Sequence, residues 1–264
     1  MSNSLKRPIA FVLASTNHGS MLVNRHDYRL VGDAGYGVGY QLLSTSTFDA
    51  DEVDLVVQLL QSRRDFFGPG VLAIDCGANV GVHTIEWAKL MHGWGEVISF
   101  EAQERIFYAL AGNITLNNCF NARAIWAAVG AKTGEIGVPV PDYFVPSSFG
   151  SLEIRQNEGT EFIGQEIDYN KLSMTNMVAI DDMNIERVDF IKIDIEGMEL
   201  EALQGAEKTI RKTRPILLIE RIKADETGIG KFLTKLGYRL FPAGLNVLAV
   251  HETDPVAGSI KVGS

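Results

Sequence analysis

Hydrophobic and polar positions follow different rhythms along the chain. Up to residue 48, short apolar runs at 9–14 and 21–24 flank a turn-like segment at 17–19, and glycines recur from Gly32 to Gly39. Such spacing is typical of short strands joined by turns, and a β-hairpin is the simplest interpretation of the glycine-rich part. We therefore predict an N-terminal β extension over residues 1–48.

The next stretch has the spacing of one helical face. Asp49 precedes it with Glu52 three residues later, which is the pattern of a capping box. The segment Gly68-Pro69-Gly70 ends it. The sequence thus predicts a helix that begins with a side-chain cap from Asp49. Its apolar positions, at i, i+3, i+4 and i+7, are Val53, Val56, Val57 and Leu60.

From residue 71 onward, apolar runs alternate with amphipathic segments. This alternation is typical of a parallel sheet with crossover helices, in which strands are buried on both faces. The last two predicted strands lie close enough in sequence to pair as a hairpin at one edge. The predicted strands cover 71–76, 96–100, 124–129, 188–195, 216–219, 238–241 and 247–250, and the predicted helices 82–91, 105–117, 198–211 and 230–236.

Residues 130–177 break this alternation. They contain strand-like pieces at 136–140 and 162–167 among many polar and turn residues. A parallel crossover normally takes a short helix, and long irregular connections in compact domains are often functional. We expect this insert to form a small β appendage or a substrate lid. The insert belongs to a second predicted unit, residues 49–264.

Composition narrows the class of protein. The 264 residues are 46% hydrophobic and 22% charged, with a net charge of −9. That charge argues against a broad basic surface for duplex nucleic acid or anionic membrane. No segment approaches the length of a membrane span or of a signal peptide. We expect a cytoplasmic protein that acts on a small molecule or glycan, without nucleic acid, and leave its oligomeric state open.

The candidate chemistry begins at the loop Asp75-x-Gly77-x-Asn79-x-Gly81. Gly77 follows a buried strand and lets the backbone turn tightly and approach a ligand. Gly81 opens a helix whose N-terminal amides favour a polar or anionic group. Alone, this strand–turn–helix indicates only a nucleotide-like cofactor.

Three residues narrow the choice of cofactor. A dinucleotide fingerprint requires a glycine where this chain has Asn79. Asp75 would repel a pyrophosphate but attract an ammonium group. Glu101 ends the second strand, about twenty residues past the loop, where it can accept hydrogen bonds from ribose hydroxyls. A ligand with both a ribose and an ammonium is S-adenosylmethionine. Asp75 as a helix cap and Glu101 as a surface carboxylate are the simpler interpretations.

Three segments, 74–81, 100–102 and 191–197 with Glu199, together resemble the FkbM-type methyltransferase family. The resemblance covers roughly residues 70–220. It implies a class I methyltransferase (Rossmann-like) α/β fold, a seven-stranded sheet in the order 3-2-1-4-5-7-6 with only strand 7 antiparallel. It also implies methyl transfer to hydroxyls of sugars, glycans or polyketide products. Many relatives have a proline after the strand-two glutamate, where this chain has Ala102-Gln103.

The resemblance further implies a set of cofactor contacts. Ala127 and Ala128, at the end of strand three, would lie against the adenine, and Asp194 beside the methionine moiety. His83 and Thr84 are further expected contacts, although His83 could instead cap its helix. The remaining implied contacts are Asp75, Gly77, Ala78, Asn79, Gly81 and Glu101.

On the fourth predicted strand, Lys192, Asp194 and Glu196 share one face. An unpaired lysine there would be costly, so an ion pair of Lys192 with Asp194 or Glu196 is one interpretation. The other is that one of these three accepts the hydroxyl proton during methyl transfer to oxygen. Glu220 ends the neighbouring strand, so Asp194 and Glu220 could also hold a magnesium or calcium ion.

Other functions stay open. A nicotinamide-dependent (NAD-type) oxidoreductase is disfavoured by Asn79 and by the lack of a clear Tyr-x-x-x-Lys pair. A non-catalytic adenosyl-binding module is disfavoured by the cluster from Asp194 to Glu196. The fourth strand ends in Asp-Ile-Glu-Gly rather than the Asn/Asp-Pro-Pro-aromatic tetrapeptide of amino-group methyltransferases, which favours oxygen as the acceptor atom. The acceptor molecule itself is not given by the sequence.

Overall fold

The described part of the N-terminal extension contains two hairpins followed by a helix. The computed structural model describes residues 8–32 and 34–258; residues 1–7, Asp33 and 259–264 of the two predicted units lie outside it. Strands β1 (Phe11–Thr16) and β2 (Gly19–Asn24) pair antiparallel, as do β3 (Arg29–Val31) and β4 (Ala34–Tyr36). The predicted strands and hairpin are confirmed. Helix α1 (Val38–Thr45) was not predicted, because Gly39 is a poor helix former.

Helix α2 (Ala50–Phe67) connects the extension to the sheet. Its buried positions include Val53, Val56 and Leu60, which confirms the predicted helical face. The predicted capping box is wrong. Asp49 has a left-handed backbone (φ 37°), and its side chain accepts a hydrogen bond from Gln41 instead of from the helix.

The sheet that follows extends beyond the seven expected strands. In the described part of the chain, nine strands are hydrogen-bonded in the order β12-β13-β11-β10-β5-β6-β7-β9-β8. The strands are β5 (Val71–Cys76), β6 (Gly95–Glu101), β7 (Ala122–Val129), β8 (Gly134–Pro139), β9 (Leu172–Val178), β10 (Phe190–Ile193), β11 (Ile216–Glu220), β12 (Tyr238–Ala243) and β13 (Asn246–His251). The helices are α3 (Val82–Leu90), α4 (Glu104–Leu116), α5 (Glu199–Gln204), α6 (Glu207–Thr213) and α7 (Glu226–Lys235).

The seven strands predicted from the sequence are β5, β6, β7, β10, β11, β12 and β13. Their order in space is 3-2-1-4-5-7-6, and β13 runs antiparallel to both of its neighbours. The expected class I topology is therefore confirmed. The insert contributes β8 and β9, which lengthen the sheet beyond β7.

The structure corrects several predicted boundaries. Strand β10 ends at Ile193, not at 195, because Glu196 and Gly197 adopt left-handed conformations (φ 57° and 99°). The helix predicted over 198–211 is split into α5 and α6 at Gly205, where a Cβ would overlap the Gly130 carbonyl. The strand predicted at 162–167 is absent from the described residues, whereas β9 was missed because its exposed positions are partly apolar, such as Met174.

Apolar side chains fill both faces of the sheet. One face packs against α2 and α3, with Trp87 and Phe190 in edge contact at 5.4 Å between ring centroids. The other packs against α5, α6 and α7 through residues such as Ile191 and Leu203. No helix within the two described ranges is long and apolar enough to cross a membrane.

Candidate active site

A pocket of about 300 Å³ lies at the carboxyl ends of β5, β6, β7 and β10. Parallel strands bring their carboxyl ends to one edge of a sheet, where such folds bind ligands. The extension and the insert both contribute to its wall. The lining includes segments 77–83, 100–103, 127–129 and 194–196 from the sheet domain, 36–38 from the extension and 150–152 from the insert.

The glycine loop has the tight geometry that its sequence predicts. Gly77 has a positive φ of 82°, and a Cβ there would overlap the carbonyl oxygen of Asp194. Asn79 is also left-handed, at φ 49°, and its side-chain oxygen accepts the Val80 amide at 2.8 Å. The backbone of the loop therefore lies at the pocket wall. A Cβ at Gly77 would displace the residue that follows the neighbouring strand β10.

Asp75 is buried, with 1% of its surface exposed. Its Oδ2 accepts a hydrogen bond from the Thr84 hydroxyl at 2.7 Å, and Thr84 Oγ1 lies 2.6 Å from Ser99 Oγ. Among the described residues, Asp75 Oδ1 has no hydrogen-bond partner. The helix-cap interpretation of Asp75 is wrong, because its partner is a side chain rather than an amide of α3. Thr84 was predicted to contact the cofactor directly. The structure instead places it behind Asp75 and not on the pocket wall, so its hydroxyl orients Asp75.

Glu101 is a buried carboxylate, which corrects the interpretation as a surface group. Its Oε1 accepts the Gln103 amide at 2.7 Å, and its Oε2 accepts the Asn79 amide at 3.0 Å. Burial raises the pKa of Glu101 to about 7, although the two amides act in the opposite direction. Each oxygen keeps a lone pair for a ligand. Its role as the ribose acceptor stays a prediction.

His83 lines the pocket and contacts helix α2. Its Nε2 lies 3.1 Å from Glu52 Oε1, and Glu52 Oε2 accepts a hydrogen bond from Asn246 at 2.6 Å. His83 thus pairs with α2 rather than capping its own helix, so the cap interpretation is wrong. Burial opposes ionisation of Glu52, but His83, Lys192 and Asn246 together lower its pKa to about 2.

Lys192 and Asp194 form the ion pair that the sequence predicts. Lys192 Nζ lies 2.6 Å from Asp194 Oδ2, and the lysine side chain is buried. Burial alone would lower the pKa of Lys192. The carboxylates of Asp194, Asp75 and Glu52 outweigh burial and hold that pKa well above its ordinary value.

Glu196 departs from the predicted strand face. Because β10 ends earlier, Glu196 turns away and lies 2.6 Å from Lys223 Nζ instead of Lys192. One carboxylate oxygen from each of Asp194, Glu196 and Glu220 lies within 4.8 Å of the others. This geometry fits a divalent cation, but lysines already neutralise Asp194 and Glu196. The metal site therefore stays a prediction, with Glu196 as an additional ligand.

Ala127 and Ala128 lie on the pocket wall, as do Gly77, Ala78, Asn79 and Gly81. Sequence reasoning missed the contribution of more distant segments. The insert was expected to form a small β appendage or a substrate lid, but its turn Phe149–Ser151 and Gln41 of the extension carry no motif, so the sequence did not single them out. Glu52 and Lys223 were also missed, because their partners are far away in sequence.

Comparisons with known proteins identify relatives of this chain. "Methyltransferase sdnD" of Sordaria araneosa is 22% identical over 156 residues, covering 51% of this chain and 60% of the relative. "Methyltransferase 1" of Beauveria bassiana is 22% identical over 149 residues, covering 51% and 57%. The chain thus spans about three fifths of the length of these curated relatives. A solved structure, the FkbM methyltransferase of Methylobacillus flagellatus KT, has 19% identity and a TM-score of 0.48 over 69% of this chain and 44% of that one.

The family comparison covers most of the residues that line the pocket. The Methyltransferase FkbM domain matches residues 75–240. This range begins at Asp75 and includes the glycine loop, Glu101 and the whole insert. Since the match covers more than half of the sequence, the chain belongs to the FkbM methyltransferase family.

Proposed function

We propose that this chain is an S-adenosylmethionine-dependent methyltransferase that methylates a hydroxyl oxygen of a small molecule, sugar or glycan. The observation that carries the proposal is that Asp75, Glu101 and Asp194 line one pocket. Asp75 suits the ammonium group of the cofactor, and Glu101 suits its ribose. Asp194 can accept the proton that the acceptor hydroxyl loses. The curated relatives are named methyltransferases, which supports the same activity.

The pocket wall fits the cofactor in several ways. When bound, S-adenosylmethionine supplies a methyl group on a sulfonium. Asp75 Oδ1, unpartnered among the described residues, can accept a hydrogen bond from an ammonium group. Glu101 keeps lone pairs for the ribose hydroxyls. The small side chains of Ala127 and Ala128 leave room for a flat ring against the end of β7.

Asp194 is the base in this proposal. Its side chain is 33% exposed and lines the pocket, and Lys192 holds one of its oxygens at 2.6 Å. The other oxygen of Asp194 would accept the proton of the acceptor hydroxyl as the hydroxyl oxygen forms its bond to the methyl carbon and the carbon–sulfur bond breaks, with the sulfur leaving as a neutral thioether. Lys192 acts as the donor that orients Asp194. Glu196 is tied to Lys223 and is the second choice for the base.

A second candidate for the acceptor end involves a divalent cation. The carboxylates of Asp194, Glu196 and Glu220 approach one another closely enough to share an ion. Hard cations prefer such oxygen ligands, and a bound cation would orient the acceptor hydroxyl. The ion pairs with Lys192 and Lys223 compete with this arrangement, so we rank it second.

Methyl transfer from labelled S-adenosylmethionine to a panel of hydroxyl and amine acceptors tests the proposal. We expect label in hydroxyl acceptors, and Asp194→Asn should reduce turnover at least about a hundredfold. Its affinity for the cofactor should stay within about threefold of wild type. Asp54→Asn, on the exposed face of α2, is the matched control and should behave as wild type. Label in amines alone would contradict the acceptor, and full activity of Asp194→Asn would contradict the base.

A further inference from the structure

Asp27 joins the N-terminal extension to the insert. It is 3% exposed, and its two carboxylate oxygens accept two backbone amides. Oδ2 accepts the Gly39 amide of α1 at 2.9 Å, and Oδ1 accepts the Phe149 amide of the insert at 3.0 Å. A buried carboxylate with two amide donors is strongly oriented. One side chain therefore bonds both α1 and the insert turn, next to the backbone hydrogen bond from the Ser147 amide to the His26 carbonyl at 2.9 Å.

The insert turn that Asp27 holds lies against the glycine loop. It is a single 3₁₀ turn, Phe149–Ser151, and Phe149 is fully buried. A Cβ placed on Gly150 would lie 3.0 Å from the Asn79 side-chain nitrogen and 3.9 Å from Val38. The turn thus sits between α1 and the loop.

The hydrogen bonds continue from this turn to the carboxylate of Glu101, the proposed acceptor of the ribose hydroxyls. The Phe149 carbonyl accepts from Gln103 Nε2 at 2.8 Å, and the backbone amide of Gln103 donates to Glu101 Oε1 at 2.7 Å. The Tyr143 hydroxyl donates to Gln103 Oε1 at 3.2 Å. Gln103 is itself buried. A continuous path of buried polar contacts therefore runs from Asp27 through Phe149 and Gln103 to Glu101.

We propose that Asp27 and Gln103 are positioning residues for the Glu101 carboxylate, so that the extension and the insert together set the recognition of the ribose. The inference rests on the proposed use of S-adenosylmethionine. Asp27 lies outside the residues 75–240 that match the family, so this end of the path belongs to the chain's own extension. A carboxylate binds two vicinal hydroxyls most directly with one oxygen facing each of them, and the backbone amide of Gln103 fixes one of these oxygens.

A purely structural role for these residues predicts a different outcome. General loosening of the site would weaken every nucleoside ligand by the same factor. Loss of Glu101 orientation would weaken only those ligands that offer ribose hydroxyls. The ratio of affinities for a ribose ligand and its deoxy counterpart therefore separates the two roles.

Calorimetry with 5′-methylthioadenosine and its 2′-deoxy analogue measures this ratio. Wild type should prefer the ribose ligand about tenfold or more, as expected of a hydrogen bond to a charged group. In Asp27→Asn and in Gln103→Leu the preference should fall below about threefold, with the deoxy ligand bound within about threefold of wild type. The double variant should lose no more of the ribose preference than the single variant with the larger loss, since both residues act on one path.

Asp142→Asn is the matched control. Asp142 also accepts a backbone amide, from Phe144 at 2.9 Å, but it is exposed on the insert. It should keep the wild-type preference. Tyr143→Phe removes only the hydroxyl that bonds Gln103, so it serves if the stronger variants fail to fold; its preference should fall about twofold to threefold.

The outcomes distinguish this inference from the proposed function. If the variants keep the wild-type preference, or lose affinity for both ligands equally, the positioning role is overturned while the proposed function stands. If wild type binds S-adenosylmethionine but neither nucleoside, this inference alone is overturned; if it binds none of the three, the proposed function is overturned as well.

Discussion

The hydroxyl of Thr84 donates a hydrogen bond of 2.7 Å to Oδ2 of Asp75. Because a hydroxyl has one hydrogen, the contact with Ser99 at 2.6 Å requires the Ser99 hydroxyl to donate to Thr84. The buried carboxylate is thus held by a short relay of hydroxyls. Its other oxygen is left for a ligand. Orientation of Asp75 depends on a residue that is not on the pocket wall.

Replacement of Thr84 tests this relay. Thr84→Val keeps the shape but removes the donor to a buried carboxylate, so the free energy of unfolding should fall by about 1–3 kcal/mol. Binding of S-adenosylmethionine should weaken severalfold. Denaturant unfolding and calorimetry measure the two effects. Thr115→Val, on the exposed side of α4, is the control, and equal behaviour of the two variants would refute the role of Thr84.

The raised pKa of Glu101, about 7 against an ordinary 4.5, gives stability a defined dependence on pH. The folded protein binds this proton more tightly than the unfolded chain. The stabilising contribution is therefore full below the ordinary value and is lost as pH rises toward about 7. Unfolding measured across this range should show the loss in wild type, and a smaller one in Glu101→Gln.

Cofactor affinity should change in the opposite sense, because only the ionised Glu101 carboxylate accepts from two ribose hydroxyls. Binding of S-adenosylmethionine should strengthen as pH rises through about 7. Glu101→Gln should flatten that part of the profile. A variant that keeps the wild-type profile would show that another group controls binding.

Lys192 supplies the positive charge between several carboxylates. Lys192→Met leaves Asp194, Asp75 and Glu52 without this cation, so we expect a loss of about 3–5 kcal/mol in unfolding free energy. Adding Asp194→Asn should restore part of the loss, because the two residues are in contact. Lys208→Met, at an exposed position of α6, should change stability by less than about 0.5 kcal/mol. Equal losses of unfolding free energy in Lys192→Met and Lys208→Met would contradict this role of Lys192.

The cluster of Asp194, Glu196 and Glu220 also leads to a prediction of how turnover responds to a chelator. Lys192 and Lys223 already contact Asp194 and Glu196, so a metal ion would have to compete with two ion pairs. We expect turnover to stay within about twofold after dialysis against a chelator, in line with an Asp194 base that needs no Lewis acid. Activity that disappears on chelation and returns with magnesium would favour the metal-assisted alternative.

Local patterns explain what the sequence could predict. Strand β5 and the loop from Gly77 to Gly81 lie within one short segment, so the residues that shape the turn are also neighbours in sequence. The alternating apolar runs indicated a parallel sheet, and the strand order was implied by the family resemblance. The pairing of Lys192 with Asp194 followed from alternation along one strand.

Long-range contacts explain what the sequence could not predict. Asp27 and Phe149 are 122 positions apart, and neither belongs to a motif. Glu52 was assigned to a capping box, although tertiary contacts with His83 and Asn246 use both of its oxygens. Glu196 left the predicted strand face because it adopts a left-handed conformation, which few non-glycine residues do.

We expect this pocket to bind S-adenosylmethionine through Glu101 and the glycine loop. Calorimetry of the wild-type protein with S-adenosylmethionine and with NAD tests it most directly, with Glu101→Ala alongside. We predict saturable binding of S-adenosylmethionine that is tighter than that of NAD and weakened severalfold in Glu101→Ala. Tighter binding of NAD, or unchanged affinity in Glu101→Ala, would contradict the account.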